Sequence, residues 1–275
     1  MDEIDCRIQR EDELFEQLLT SPMVELTGVV SASGVGAGKF RGQQLWSLLF
    51  SFDLWRINGG PVRTESIAVR RRVTDAELRR FQSRIGAETI VRIRARFAED
   101  NVFGSIQAHI DEFVGLAKDD VELQARLKEL QKPKILNDSQ FGAFTFDRRV
   151  RLYSASVKWA GEDIELSLNS EEPDDIETCL KVARALWSQE KLWKTRIEDY
   201  AVEKLLPRKN DLWLGEDETE FSPQEFKNKM KLQSISIYQD GSFDFWHNDG
   251  DLFWGHAIQV SGNLSDGPTD VDTPG

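Results

Sequence analysis

Cysteine is nearly absent from the chain: Cys6 and Cys179, far apart, are the only two. Such a pair builds no disulfide framework and no metal-type spacing, and it suits a reducing compartment. Histidine numbers three, so imidazole chemistry is confined to very few places. No apolar run approaches the ~18 continuous residues of a membrane-spanning helix. The start, MDEIDCRIQREDELFEQ, is acidic and amphipathic and lacks the basic-then-apolar layout of a secretory signal. The expectation is therefore a cytoplasmic protein with no membrane association. A basic excess is missing too, since the net charge is -13. The deficit is uneven. Residues 1–133 hold 19 basic and 21 acidic residues, a net of -2, leaving 16 and 27, a net of -11, for residues 134–275. Acidity in that second half argues against nonspecific nucleic-acid binding there.

What is present is enough for a core. Apolar residues make up 40% and aromatics 10% of the 275 residues, which excludes wholesale disorder and allows one large or two ordinary domains. Six of the eight tryptophans lie beyond Pro133. Gln131-Lys132-Pro133-Lys134 is the expected boundary, giving domains 1–133 and 134–275.

In the first half, Leu14, Phe15, Leu18 and Leu19 fit one helix face, and Ser21-Pro22 ends that helix. Val24–Val30, Leu45–Trp55 and Ser66–Arg72 read as strands. The segment between the first two contains GVGAGK but is no phosphate loop. Ser33 replaces the required glycine, Phe40 follows the lysine where Ser or Thr is needed, and no helix pattern follows. Thr74-Asp75-Ala76-Glu77 is a capping box opening a helix that Gly86 stops. Val91, Ile93, Ala95 and Phe97 then alternate with Arg92, Arg94 and Arg96, a half-buried strand. Val102–Phe113 reads as a further strand and Asp119–Leu130 as a helix. The order strand, strand, strand, helix, strand, strand resembles an OB-fold barrel over residues 24–114, by topology only. That resemblance implies nucleic-acid binding, with Arg92, Arg94 and Arg96 as the contact residues. Against it, no aromatics interleave on the arginine face. A solvated face balanced by local acids is the simpler reading.

In the second half, strands are expected over Phe141–Asp147, Val150–Trp159 and Asp163–Leu168. Pro173-Asp174-Asp175 opens a helix whose apolar stripe includes Cys179, a packing thiol rather than a nucleophile. Trp193, Ile197, Tyr200, Ala201 and Leu205 form a second helix or continue the first. Pro207 is expected to stop it, leaving Asn210–Trp213 as a loop. Ser222-Pro223-Gln224-Glu225 starts another helix, and Leu232–Tyr238 begins a closing meander.

Asp240–Val260, DGSFDFWHNDGDLFWGHAIQV, concentrates two tryptophans, two histidines and four aspartates. For its first hairpin, a loop of Gln239, Asp240 and Gly241 pairs Ile235 and Ile237 with Phe245 and Phe243. For the second, a turn at Asp249-Gly250 would put His247 opposite Leu252, Phe245 opposite Trp254 and Phe243 opposite His256, whereas a three-residue loop would shift the pairing by one and place Phe245 opposite Phe253. Trp213, Trp246, His247, Asp249, Asp251, Trp254 and His256 are the candidate binding residues. A metal centre lacks a third convergent ligand, and acid–base catalysis lacks an activated Ser or Cys. No catalytic residue, metal or cofactor is therefore assigned. A packed histidine and an Asx-stabilised turn are the structural alternative. The question left open by the sequence is whether the Asn248–Asp251 turn and His256 meet groups from elsewhere in the fold, with Asn210–Trp213 the first place to look.

The residues Asn210-Asp211-Leu212-Trp213, Phe226, Met230-Lys231-Leu232 and, above all, Asp249-Gly250-Asp251-Leu252-Phe253-Trp254-Gly255-His256 resemble a bacterial family catalogued as domain of unknown function 2262. The resemblance covers about residues 135–275. It implies a bacterial, cytoplasmic protein and no activity. The expected architecture is α+β: an N-terminal OB-like barrel with one helix, then an antiparallel sheet packed with two or three helices. The function that follows is a non-catalytic binding module, its acidic, tryptophan-rich half facing a basic protein partner. Nucleic-acid binding through the arginines and a hydrolytic or metal-dependent site around His247 and His256 are the alternatives.

Overall fold

The computed structural model describes residues 3–39, 42–170, 172–215 and 218–275. Phe40, cited against the phosphate loop, lies outside them. The chain divides into two compact units, Met1–Lys132 and Pro133–Gly275.

The first unit opens with helix α1 (Glu3–Thr20), followed by strands β1 (Met23–Val30), β2 (Gly36–Gly38), β3 (Trp46–Ile57) and β4 (Ile67–Val73). Helix α2 (Asp75–Arg84), strands β5 (Ile90–Ala98) and β6 (Gln107–Leu116) and helix α3 (Val121–Leu130) complete it. Five strands close into a barrel in the order β1, β3, β4, β6, β5 and back to β1, with β4 and β6 parallel. The one helix between the third and fourth barrel strands is α2, the arrangement expected of an OB fold. Its capping box is formed on both sides between Thr74 and Glu77. Closure is tight at Gly28, where a Cβ would stand 2.5 Å from the Phe52 ring. Leu14 and Leu18 of α1 are fully buried, whereas Leu19 is exposed. Within the GVGAGK segment Gly36–Gly38 forms the short strand β2, and the next element among the described residues is strand β3, not a helix.

Strand β6 starts five residues later than the sequence suggests. Asn101 accounts for the delay: its side-chain oxygen accepts from the Phe103 amide at 2.9 Å and its amide donates to the Ser105 carbonyl at 2.6 Å. That turn takes up Val102–Ser105 before pairing resumes.

The second unit holds β7 (Ile135–Asp138), β8 (Gly142–Asp147), β9 (Leu152–Trp159), β10 (Glu162–Asn169), α4 (Pro173–Ser188), α5 (Glu190–Leu212) and α6 (Pro223–Lys229). Strands β11 (Lys231–Tyr238), β12 (Ser242–Asn248), β13 (Ala257–Asn263) and β14 (Gly267–Asp272) follow. All eight strands form one sheet in sequential order from β14 to β7. Neighbours are antiparallel except β10 and β11, which run parallel because the helices connect them. One face is apolar and packed with helices, bringing Trp159, Leu166, Ile235, Phe243 and Phe245 into the core with Cys179, Trp193 and Ile197. Cys179 is fully buried, and burial lifts its thiol pKa to about 11, as a packing role requires. The edge strands β7 and β14 were not legible in the sequence.

Helix α5 does not stop at Pro207. Its buried residues Trp193, Ile197, Ala201, Leu205 and Lys209 recur every fourth position. Pro207 and Glu203, the residue whose carbonyl loses its partner, are both exposed, so that carbonyl is not sealed in the core. Core packing then carries the helix past its proline. No helix among the described residues is long and apolar enough to cross a membrane.

Candidate functional site

The first hairpin has the expected register, with Ile235 opposite Phe245 and Ile237 opposite Phe243. The second does not. Strand β12 pairs with β13 so that His247 faces Ile258, Phe245 faces Val260 and Phe243 faces Gly262. Residues 249–256 therefore form a loop rather than two paired strand ends. The cause is Asp249. Only 1% exposed, its carboxylate accepts hydrogen bonds from the amides of Asp251 (3.1 Å), Phe253 (2.7 Å) and Gly255 (3.2 Å). These amides cannot also serve a strand ladder. The loop docks by burying Leu252 and Phe253 completely. Gly250 sits at φ 57°, and a Cβ there would meet the Lys229 carbonyl at 2.6 Å.

This curled loop carries Trp254 outwards. Its backbone is left-handed, at φ 58°, and its side chain is 68% exposed. It packs on Trp213 with ring centres 4.8 Å apart, while Trp213 also meets the edges of Phe253 and His256 at 5.7 Å. His256 donates from Nδ1 to the Thr273 carbonyl at 3.1 Å. His256 thus meets the Asn210–Trp213 segment at Trp213. That residue caps α5, and its carbonyl accepts from the buried Lys209 ammonium at 2.7 Å. Lys209 also bonds Glu218 at 2.7 Å. Asn210 pairs with both backbone groups of Phe221, at 2.9 and 3.0 Å. Leu212, 72% exposed, and the exposed acids Asp211 and Asp251 border the tryptophan pair in sequence.

The other candidates are placed differently. Trp246 is half-buried between Ser234 and Gln259 on the sheet face away from the helices. His247 is 4% exposed on the helix-covered side and does not join His256. It lines a cavity of about 230 Å3 with Lys194 and Glu198 of α5, Lys227 of α6 and Trp159. Sequence reasoning missed this cavity. Its one signal was the i,i+4 pair Lys194 and Glu198 flanking the core residue Ile197. Among the described residues, no three His, Cys, Asp or Glu side chains are grouped to hold a metal ion.

Burial pushes the His247 pKa down to about 4, against the pull of the Ile258 and Phe245 carbonyls. Its Nδ1 makes no hydrogen bond. Between about pH 6.5 and 4 the unfolded chain binds a proton that the folded ring refuses. Stability therefore falls as pH drops through that window and the loss levels off below it. The size is on the order of 3 kcal/mol. Urea unfolding of wild type and His247→Gln at pH 7 and pH 4.5 checks this. The wild type should lose more stability on acidification than the variant, whereas an equal loss would contradict it.

Each arginine of the β5 stripe has an acidic partner. Arg92 lies 3.4 Å from Glu25 and 3.5 Å from Asp119, Arg94 2.9 Å from Glu112, and Arg96 3.1 Å from Asp111. This is a balanced, ion-paired face.

Residues 138–272 match a family model described as an uncharacterized protein conserved in bacteria (DUF2262). Residues 11–130 match a second model, a domain of unknown function (DUF7021), which the sequence reading had not identified. No curated protein matches. Among solved structures, the single-stranded DNA binding protein from Thermus aquaticus is 14% identical, with a TM-score of 0.25 over 53% of this chain and 72% of that one. A deletion mutant of the same protein gives 14% and 0.24 over 53% and 73%.

Proposed function

We propose that this chain is a non-catalytic binding module whose C-terminal unit engages a basic protein segment. The observation that carries the reading is Trp254, 68% exposed on a loop fixed by a buried carboxylate. An exposed indole packed at a tilt against a second one is a ready anchor for the hydrocarbon stem and charge of Lys or Arg. The surrounding half of the chain carries a net charge of -11, from 16 basic and 27 acidic residues, which would steer a cationic partner towards it. The ion-paired arginines of β5 give the nucleic-acid alternative no such support.

Lysine- and arginine-rich synthetic peptides, titrated by calorimetry at low and at physiological salt, test this. The wild type should bind, more weakly as salt rises. Trp254→Ala should weaken binding ~30-fold or more and leave stability within about 0.5 kcal/mol. Equal binding by the variant, or none by the wild type at low salt, would overturn the reading.

A further inference from the structure

The cavity beside His247 lies apart from the tryptophan pair and has its own chemistry. Its floor is aromatic and apolar, with Trp159 and Phe245. Its walls carry both charge signs: Lys194 and Lys227 against Glu162 and Glu198. Lys227 is paired with Asp199 of the same helix layer, and Lys194 stands 3.9 Å from Glu198. One buried polar atom here has no hydrogen-bond partner, and one carboxylate is only partly compensated. The His247 ring, 4% exposed, has an Nδ1 that makes no hydrogen bond. The Glu198 side chain is 22% exposed, and its ion pair among the described residues is that long one with Lys194. Burial raises the Glu198 pKa despite both lysines, so the carboxylate is under-compensated where it stands.

A neutral imidazole and a carboxylate are both acceptors that an ammonium group satisfies. Lysines on the same walls suit a carboxylate. Charges of both signs over an aromatic floor, within about 230 Å3, call for a small ligand that bears both.

We propose that the cavity between α5, α6 and the sheet binds a small zwitterion of the α-amino-acid class. The ligand ammonium meets Glu198 and His247, and its carboxylate meets Lys194 and Lys227. Trp159 and Phe245 then contact the side chain. This goes beyond the basic-partner reading and does not depend on it.

The test is thermal unfolding and calorimetric titration of the full chain at pH 7.5 with each standard L-amino acid singly. Propionate and propylamine serve as probes carrying only one of the two charges. At least one amino acid should bind saturably and raise the melting temperature, with neither single-charge probe matching it. Glu198→Gln should weaken that binding about tenfold or more while unfolding like the wild type in ligand-free buffer. Lys194→Met, also on the cavity wall, should weaken it as well. Trp254→Ala should leave it unchanged. The proposal is overturned if no amino acid binds at 10 mM, a generous ceiling of roughly -3 kcal/mol. Propionate binding as tightly as the best amino acid would overturn it too, as would Glu198→Gln binding like the wild type.

Discussion

Asp249→Ala should destabilise the C-terminal unit by about 3 kcal/mol or more. The carboxylate is 1% exposed and accepts three backbone amides, including that of the fully buried Phe253. Hydrogen bonds to a charged group contribute ~1.5–3 kcal/mol each, and removing the acceptor strands its donors away from water. Asp249→Asn keeps a single carbonyl oxygen and turns an N–H2 towards the remaining amide, so it should fall between alanine and wild type. Urea unfolding followed by tryptophan fluorescence reads the series. An alanine variant within about 0.5 kcal/mol of wild type, the usual range for a surface change, would show that the loop does not depend on this side chain.

The second large effect is expected at Lys209. Its side chain has no solvent exposure, its ammonium bonds the Trp213 carbonyl and Glu218 at 2.7 Å, and it lies 4.9 Å from the Phe221 ring. Lys209→Ala should cost about 3 kcal/mol, by emptying the space of a four-carbon stem and leaving a helix-end carbonyl unpaired. Lys209→Met should cost much less, ~1 kcal/mol, because it refills the volume and buries no charge. Glu218, 41% exposed, is not stranded by either change. Matching losses for the two variants would mean that the charge, not the packing, is what the site needs. Both variants should also shift Trp213 fluorescence, since the lysine fixes the carbonyl of that residue.

Much of the fold was legible because its signals are local. The Thr74–Glu77 and Ser222–Glu225 boxes, the Arg92–Phe97 alternation and the helix between barrel strands all depend on a few adjacent residues. The failures share a different cause. Pro207 is a helix breaker by itself, but every fourth residue from Trp193 to Lys209 is buried, and that packing outweighs one lost hydrogen bond on an exposed face. A lysine in the last buried position hid the periodicity. At Asp249-Gly250 the dipeptide reads as a hairpin turn, and the alternation either side encourages it. The carboxylate instead gathers amides two, four and six residues ahead, a contact no periodicity reports. The candidate residues split accordingly. Trp213, Asp249, Trp254 and His256 come together with Asp251 on the same loop, whereas Trp246 and His247 face opposite sides of the sheet. The cavity at His247 draws on α5, α6 and β10, and its makers are too far apart in sequence to be read as one group.

Residues 249–256 form a fixed platform that holds Trp254 outwards. Native-state hydrogen exchange at the Phe253 amide tests it most directly. That amide, bonded to Asp249 at 2.7 Å in a fully buried residue, should exchange about a thousandfold or more slower than a free loop amide. Exchange at the rate of an unstructured loop would contradict it.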